Sequence, residues 1–252
     1  MNVEEWFHKN KFKCDSFRDI KRLVKIKKQQ NTKISLCIPT LNEEKTIGFV
    51  LDILKPELYD KNRLLDEIVV VDSGSTDHTK EEVEKRGVKF VESSKVLRKY
   101  GDIKGKGENL WKSLYICEGD IIVWVDADIK NMHPRFVYGL IGPLLTHKNI
   151  GFVKGFYQRP IKVGKELEPL GGGRVTELTI RPLFNMYFPR LSGFIQPLSG
   201  EYAMRREIAE KIPFFTGYGV ETATLIDIQK KFGLRACGQV DLKRRVHRNS
   251  SI

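Results

Sequence analysis

Ile121-Ile122-Val123-Trp124-Val125-Asp126-Ala127-Asp128 is the stretch that decides the fold. Five apolar residues in a row, mostly β-branched, fit a strand buried on both faces, as in parallel sheets. Two carboxylates follow at the strand end, the edge at which open α/β sheets bind ligands. Asp126 and Asp128, joined by the small Ala127, can serve a hard divalent ion and a ribose together. Mg2+ or Mn2+ at such a pair bridges a diphosphate and neutralises the charge that builds as a nucleoside diphosphate leaves.

Working outward, similar β-branched runs alternate with amphipathic stretches. Strands are expected at 34–38, 67–71 and 88–91, and helices at 43–54, 76–86 and 107–117. That β-α-β-α order implies a parallel sheet covered by helices on both faces. Beyond residue 130 the regularity fades. Helices are expected at 134–145, 175–187 and 220–232, with strands at 150–157, 201–205 and 235–241. Residues 3–30 read as one or two basic helices with a ragged apolar stripe of Trp6, Phe7, Phe12, Phe17, Ile20 and Leu23.

Two phosphate loops can be tested against this frame. A dinucleotide fold needs G-x-G-x-x-G after its first strand. Here the turn is Pro39-Thr40-Leu41-Asn42-Glu43-Glu44, whose carboxylates repel a pyrophosphate. A P-loop needs G-x-x-x-x-G-K-[ST]. Gly101-Asp102-Ile103-Lys104-Gly105-Lys106-Gly107 has one residue too few and ends on glycine where a hydroxyl should hold magnesium. Neither loop is present.

Bulk properties narrow the class further. The 252 residues, 40% hydrophobic and 30% charged, suit a folded globular chain, expected to be a single domain. A membrane span needs roughly 20 apolar residues, and the longest strictly apolar runs reach about five. The start lacks the basic-then-apolar order of a signal peptide. The four widely spaced cysteines (14, 37, 117, 237) have neither C-x-x-C nor zinc spacing, so a cytoplasmic protein with reduced thiols is expected. Net charge is +12, and residues 1–33 hold 10 Lys/Arg against 4 Asp/Glu. Such a balance favours an anionic partner or simply solvates a helix. A nucleic-acid module would leave the acidic strand ends idle, and the aromatic interleaving of RNA platforms is missing.

Three motifs in order at three strand ends carry a resemblance: Ile38-Pro39-Thr40-Leu41-Asn42-Glu43-Glu44, then Val71-Asp72-Ser73-Gly74-Ser75-Thr76-Asp77, then Asp126-Ala127-Asp128. The sequence resembles glycosyltransferases of the GT-A fold. Gly105-Lys106-Gly107-Glu108, Gly173-Arg174-Val175-Thr176-Glu177-Leu178, Gln196-Pro197-Leu198-Ser199-Gly200-Glu201-Tyr202 and Gly217-Tyr218-Gly219-Val220-Glu221 look like the glucosyl-3-phosphoglycerate synthase family within that group. The resemblance runs from about residue 34 to 249. It implies an α/β, Rossmann-like, mainly parallel sheet flanked by helices. A basic helical extension (1–33) would precede a nucleotide-sugar half (34–130) and an acceptor-binding half (131–252). It implies a retaining, metal-dependent enzyme that moves glucose from UDP-glucose to 3-phosphoglycerate. Mannose or another phosphorylated acceptor is the alternative.

The same resemblance distributes roles. Pro39, Thr40, Leu41, Asn42, Glu43, Asp72, Ser73, Lys106, Asp126 and Ala127 match donor-nucleotide positions. Asn and Glu offer the paired donors and acceptors that a uracil edge and ribose require, although Ser75 or Thr76 could instead only cap a helix. Lys106, between two glycines, can approach a pyrophosphate closely. Asp128 and His247 match the metal ligands, with Asp126 on ribose or a metal-bound water. Gly173, Arg174, Val175, Thr176, Tyr218, Arg245 and Asn249 match acceptor contacts. Glycines 171–173 opening a helix make an anion site, and Arg174 adds a bidentate fork for carboxylate or phosphate. Glu221, Asp128 and Lys106 are the expected catalytic residues, with Glu221 orienting sugar and acceptor hydroxyls on a front-face route. Relatives continue past the residue matching Ile252 into a helical segment, so oligomer contacts there are left open; a homodimer is expected. The basic N-terminal helices could pack on the sheet, pair subunits or attract anions.

Overall fold

The structure is a computed structural model, which describes residues 1–101, 103, 105–158, 161–163, 166–168 and 173–246. Ten strands are present among them: β1 (Lys11–Lys13), β2 (Ile34–Thr40), β3 (Glu67–Asp72), β4 (Lys89–Glu92), β5 (Ile121–Trp124), β6 (Phe152–Gln158), β7 (Ile161–Val163), β8 (Glu166–Glu168), β9 (Tyr202–Arg205) and β10 (Cys237–Arg244). The helices are α1 (Val3–Asn10), α2 (Ile20–Gln29), α3 (Ile47–Leu54), α4 (Thr79–Glu84), α5 (Lys106–Ser113), α6 (Arg135–Thr146), α7 (Arg181–Tyr187), α8 (Arg206–Ala209) and α9 (Val220–Phe232).

Eight strands form one sheet in the order β1-β10-β6-β9-β5-β2-β3-β4. Every pairing is parallel except those of β9, which runs antiparallel between β5 and β6. β7 and β8 form a separate hairpin. Because strand side chains alternate in direction, the sheet feeds two cores. Leu36, Ile38, Val70 and Val123 face one core with Phe17, Leu23, Leu51 and Phe136. Cys37, Val69, Ile122 and Trp124 face the other, with Trp6, Leu110, Phe194 and Leu225. All four cysteines are buried and unpaired. No helix of the described residues is long and apolar enough to cross a membrane.

The central strands lie where their β-branched runs place them. The expected helix at 76–86 is shorter, because Asp77 Oδ1 accepts from the Thr79 backbone N–H at 3.0 Å and the helix begins only at Thr79. Neither Ser75 nor Thr76 caps it. Residues 175–187 open with a π-helical turn, Thr176–Ile180, before α7.

The N-terminal segment differs most from its reading. Asn2 and Glu5 close a capping box over α1 and Asp19 caps α2, but between them Lys11–Lys13 pairs with β10 as an edge strand. A three-residue strand gains its stability from that long-range pairing, which local periodicity does not reveal. The segment therefore packs on the sheet. The fully buried Trp6 donates Nε1–H to the Cys237 carbonyl at 2.8 Å and lies 4.7 Å from the Phe194 ring. Trp6→Ala should cost about 3–5 kcal/mol through the cavity it leaves. A urea midpoint within error of wild type would contradict this account of the N-terminus.

Candidate active site

The parallel strands β2, β3 and β5 end side by side, so their following loops meet at one edge of the sheet. After β2, Asn42 sits at φ 57°, a conformation asparagine tolerates well. Its side chain accepts from the Thr76 N–H at 2.9 Å, tying the first loop to the second. Glu43 is held likewise, its backbone N–H donating to Thr79 Oγ1 and its carboxylate accepting from Thr46. Asp72, nearly fully buried, accepts from Gly74 N–H, Ser75 N–H and Thr40 Oγ1 at 2.7–2.9 Å. Its carboxylate builds the turn, with Ser73 buried beside it. Pro39 is half-buried and Leu41 exposed at the rim.

The electrostatic centre lies after β5. Lys106 Nζ stands 2.7 Å from Asp126 Oδ1 and 3.0 Å from Glu221 Oε1. Arg245, buried at the end of β10, reaches Asp126 and Asp128 at 3.1 and 2.8 Å and Glu201 at 2.8 Å. Burial alone would raise the Asp126 carboxyl, but Lys106 and Arg245 hold it down at about 2. Burial likewise opposes the Lys106 ammonium, and Asp126 and Glu221 outweigh it, keeping that group well above the usual lysine value. Asp128 moves the other way: burial, with Asp126 nearby, raises its carboxyl against the pull of Arg245.

Two glycines make the close approach possible. A Cβ on Gly200 would fall 2.1 Å from Asp126 Oδ2, and one on Gly107 would fall 1.8 Å from the Phe215 carbonyl oxygen. Lys106, between Gly105 and Gly107, was expected to approach a pyrophosphate closely. In the structure the space at Gly107 admits the 215–216 backbone, leading through the turn Gly217–Gly219 to Glu221 at the start of α9. Glu221 is buried there against Lys106.

Beside this centre a small pocket is lined by Tyr157, Gly173, Thr176, Gln196, Leu198 and Ser199. Gln196 clamps both the N–H and the carbonyl of Tyr157, and Ser199 donates to the Gly155 carbonyl at 2.6 Å. The Tyr157 ring lies 5.5 Å from the Arg245 guanidinium, so pocket and carboxylates adjoin. Gly173 adopts φ 97°, Thr176 is buried, and Arg174 and Val175 are exposed. Arg245, expected at the acceptor, is placed at the carboxylates. His247, Asn249, Gly171 and Gly172 lie outside the described residues, and the side chain of Tyr218 likewise. Glu201, Gln196, Tyr157 and Ser199 were not read as individual site residues. Glu201, a lone acid leading into an apolar strand, was the available signal.

Asp126 and Asp128 offer hard oxygen donors at an open strand edge, each side chain about a quarter exposed, and this fits Mg2+ or Mn2+. Among the described residues no group of three His, Cys, Asp or Glu converges as a metal site, so a third protein ligand would come from elsewhere.

A doubly covered α/β sheet with acidic loops at its carboxyl edge suits a metal-dependent nucleotide-binding enzyme, and the family model of glycosyl transferase family 2 matches residues 35–216, which makes it a glycosyltransferase. The chain belongs to that family. It is 59% identical over 244 residues to the glucosyl-3-phosphoglycerate synthase of Petrotoga mobilis, covering 97% of this chain and 75% of that one. Among solved structures it superposes on mannosyl-3-phosphoglycerate synthase from Rubrobacter xylanophilus with TM-score 0.90 at 38% identity, covering 98% of this chain and 77% of that one. It superposes with TM-score 0.82 at 44% identity on Mycobacterium tuberculosis glucosyl-3-phosphoglycerate synthase, solved in complex with Mn2+, UDP-glucose and phosphoglyceric acid; coverage is 91% and 76%.

Proposed function

We propose that the protein is a metal-dependent, retaining glucosyl-3-phosphoglycerate synthase, moving glucose from UDP-glucose to 3-phosphoglycerate. The observation that carries it is the meeting of Asp126, Asp128, Lys106 and Glu221 at the sheet's carboxyl edge, next to the pocket bearing Gly173 and Thr176. The relatives at 59% and 44% identity support the same reaction.

On this reading Pro39 to Glu43, Asp72 and Ser73 hold uracil and ribose, and Ala127 keeps the chain slim beside the donor. Asp128, with His247, holds Mg2+ or Mn2+. A divalent ion supplies a Lewis acid for the departing diphosphate. Lys106 and Arg245 leave their carboxylates for diphosphate oxygens. Gly173, Arg174 and Thr176, with Val175, Tyr218 and Asn249 alongside, seat the phosphate and carboxylate of the acceptor. Glu221 orients the acceptor hydroxyl, whose oxygen bonds to the anomeric carbon on the face from which the diphosphate departs. Its proton passes to a diphosphate oxygen, which retains the configuration. A homodimer remains part of this proposal.

The test is a donor panel with 3-phosphoglycerate and Mn2+. Phosphorylated glucoside from UDP-glucose, stopped by EDTA, is expected. No product from any nucleotide-glucose overturns the assignment. A second reading, mannose transfer to the same acceptor, is favoured by the TM-score of 0.90 against the mannosyl enzyme. Faster turnover with GDP-mannose would select it.

A further inference from the structure

Behind the chain of Asp126, Lys106 and Glu221 lies a second lysine that the reaction above leaves unused. Lys154 occupies the middle of β6, paired with Tyr202 of β9 and Gln239 of β10. Its side chain points to the same side of the sheet as Phe152, which with Tyr202 belongs to the apolar core there. The residue is 1% exposed. Among the described residues its ammonium has no hydrogen-bond partner and stands 4.5 Å from the Tyr202 ring centroid. An unpaired charge in such a place is costly, and methionine would fill the slot without that cost.

What holds the charge there is the active site. Burial pushes the ammonium down to about 8, Lys106 adds to that, and Glu221, Glu201 and Asp126 pull it back. Tyr202, beneath it, also feels Glu221 most strongly among the neighbouring charges. Glu221 itself is 5% exposed and ion-paired to Lys106. Once Lys106 turns to the diphosphate, that pair is broken while Glu221 stays buried. We propose that Lys154 is a positioning residue for Glu221: its buried ammonium holds the Glu221 carboxylate in place and aimed at the sugar while Lys106 is engaged by the donor. This rests on the role given to Lys106 above.

The experiment compares Lys154→Met and Lys154→Gln with the wild-type chain, alone and in a Glu221→Gln background. Each single variant should lower kcat by about thirtyfold, in the range of lost electrostatic contacts at active sites. The KM for either substrate should move less than about threefold, as for an interaction made mainly in the transition state. Their melting temperatures should equal or exceed wild type, since a buried unpaired charge is removed. In the Glu221→Gln background either change should cost less than about threefold, the signature of one residue acting through the other. Unchanged kcat, an equal loss in both backgrounds, or a loss tracking a lowered melting temperature overturns the proposal, as does failure of both variants to fold. UDP titrated with Mn2+ into Lys106→Met separates the two readings. Unweakened binding removes the Lys106 role, and Lys154's with it; weakened binding with normal kcat in Lys154→Met removes only the latter.

Discussion

Asp128→Ala should reduce glucosyl transfer by roughly a thousandfold, the scale of losing the anchor of a Lewis-acidic ion. The folded protein should hardly notice. Asp128 keeps about a quarter of its side chain in solvent and shares Arg245 with Asp126 and Glu201, so the guanidinium keeps two partners when it goes. Its raised carboxyl means that holding its charge in the fold is already unfavourable. Mn2+ titration followed by the paramagnetic signal of the free ion should show weakened binding at an unchanged melting temperature. A variant with wild-type turnover would remove Asp128 from the metal site.

Arg174→Ala should raise the KM for 3-phosphoglycerate by roughly a hundredfold and that for the donor by less than about threefold. Charge-assisted hydrogen bonds contribute about 1.5–3 kcal/mol, and a bidentate guanidinium makes two to one anion. Arg174 is exposed next to the pocket formed by Gly173 and Thr176, so its loss should leave the melting temperature in place and appear in substrate binding alone. Equal effects on both substrates would contradict an acceptor role.

The strands between residues 34 and 125 were legible because their signals are local. Ile121 to Val125 is a strand on composition alone, and Asp126 and Asp128 follow it at the sheet edge in sequence as in space. The elements missed depend on distant partners. Lys11-Phe12-Lys13 becomes a strand only because β10, more than two hundred residues later, offers it an edge. The sequence separation of 119 between Asp126 and Arg245 hides a contact that neither segment announces. Lys154 shares a face of its strand with Phe152 and Phe156, but only the apolar core packed on that face shows the ammonium buried. Asp72 was expected at the nucleotide, but its local role was not legible: its oxygens are taken by the turn it organises. The tight packing of Gly107 against the Phe215 carbonyl was not legible, since it too depends on a segment more than a hundred residues away.

Lys106 and Arg245, lodged against the acids at the sheet edge, have a bearing on how the enzyme is loaded. The corner is assembled with its own counter-ions aboard, so arrival of donor and metal becomes a trade of ionic partners and not the filling of a void. Lys106 and Arg245 offset part of the charge of Asp126, Asp128, Glu201 and Glu221, so the scaffold around the corner is spared the recoil that wholly uncompensated acids would deliver each time product departs.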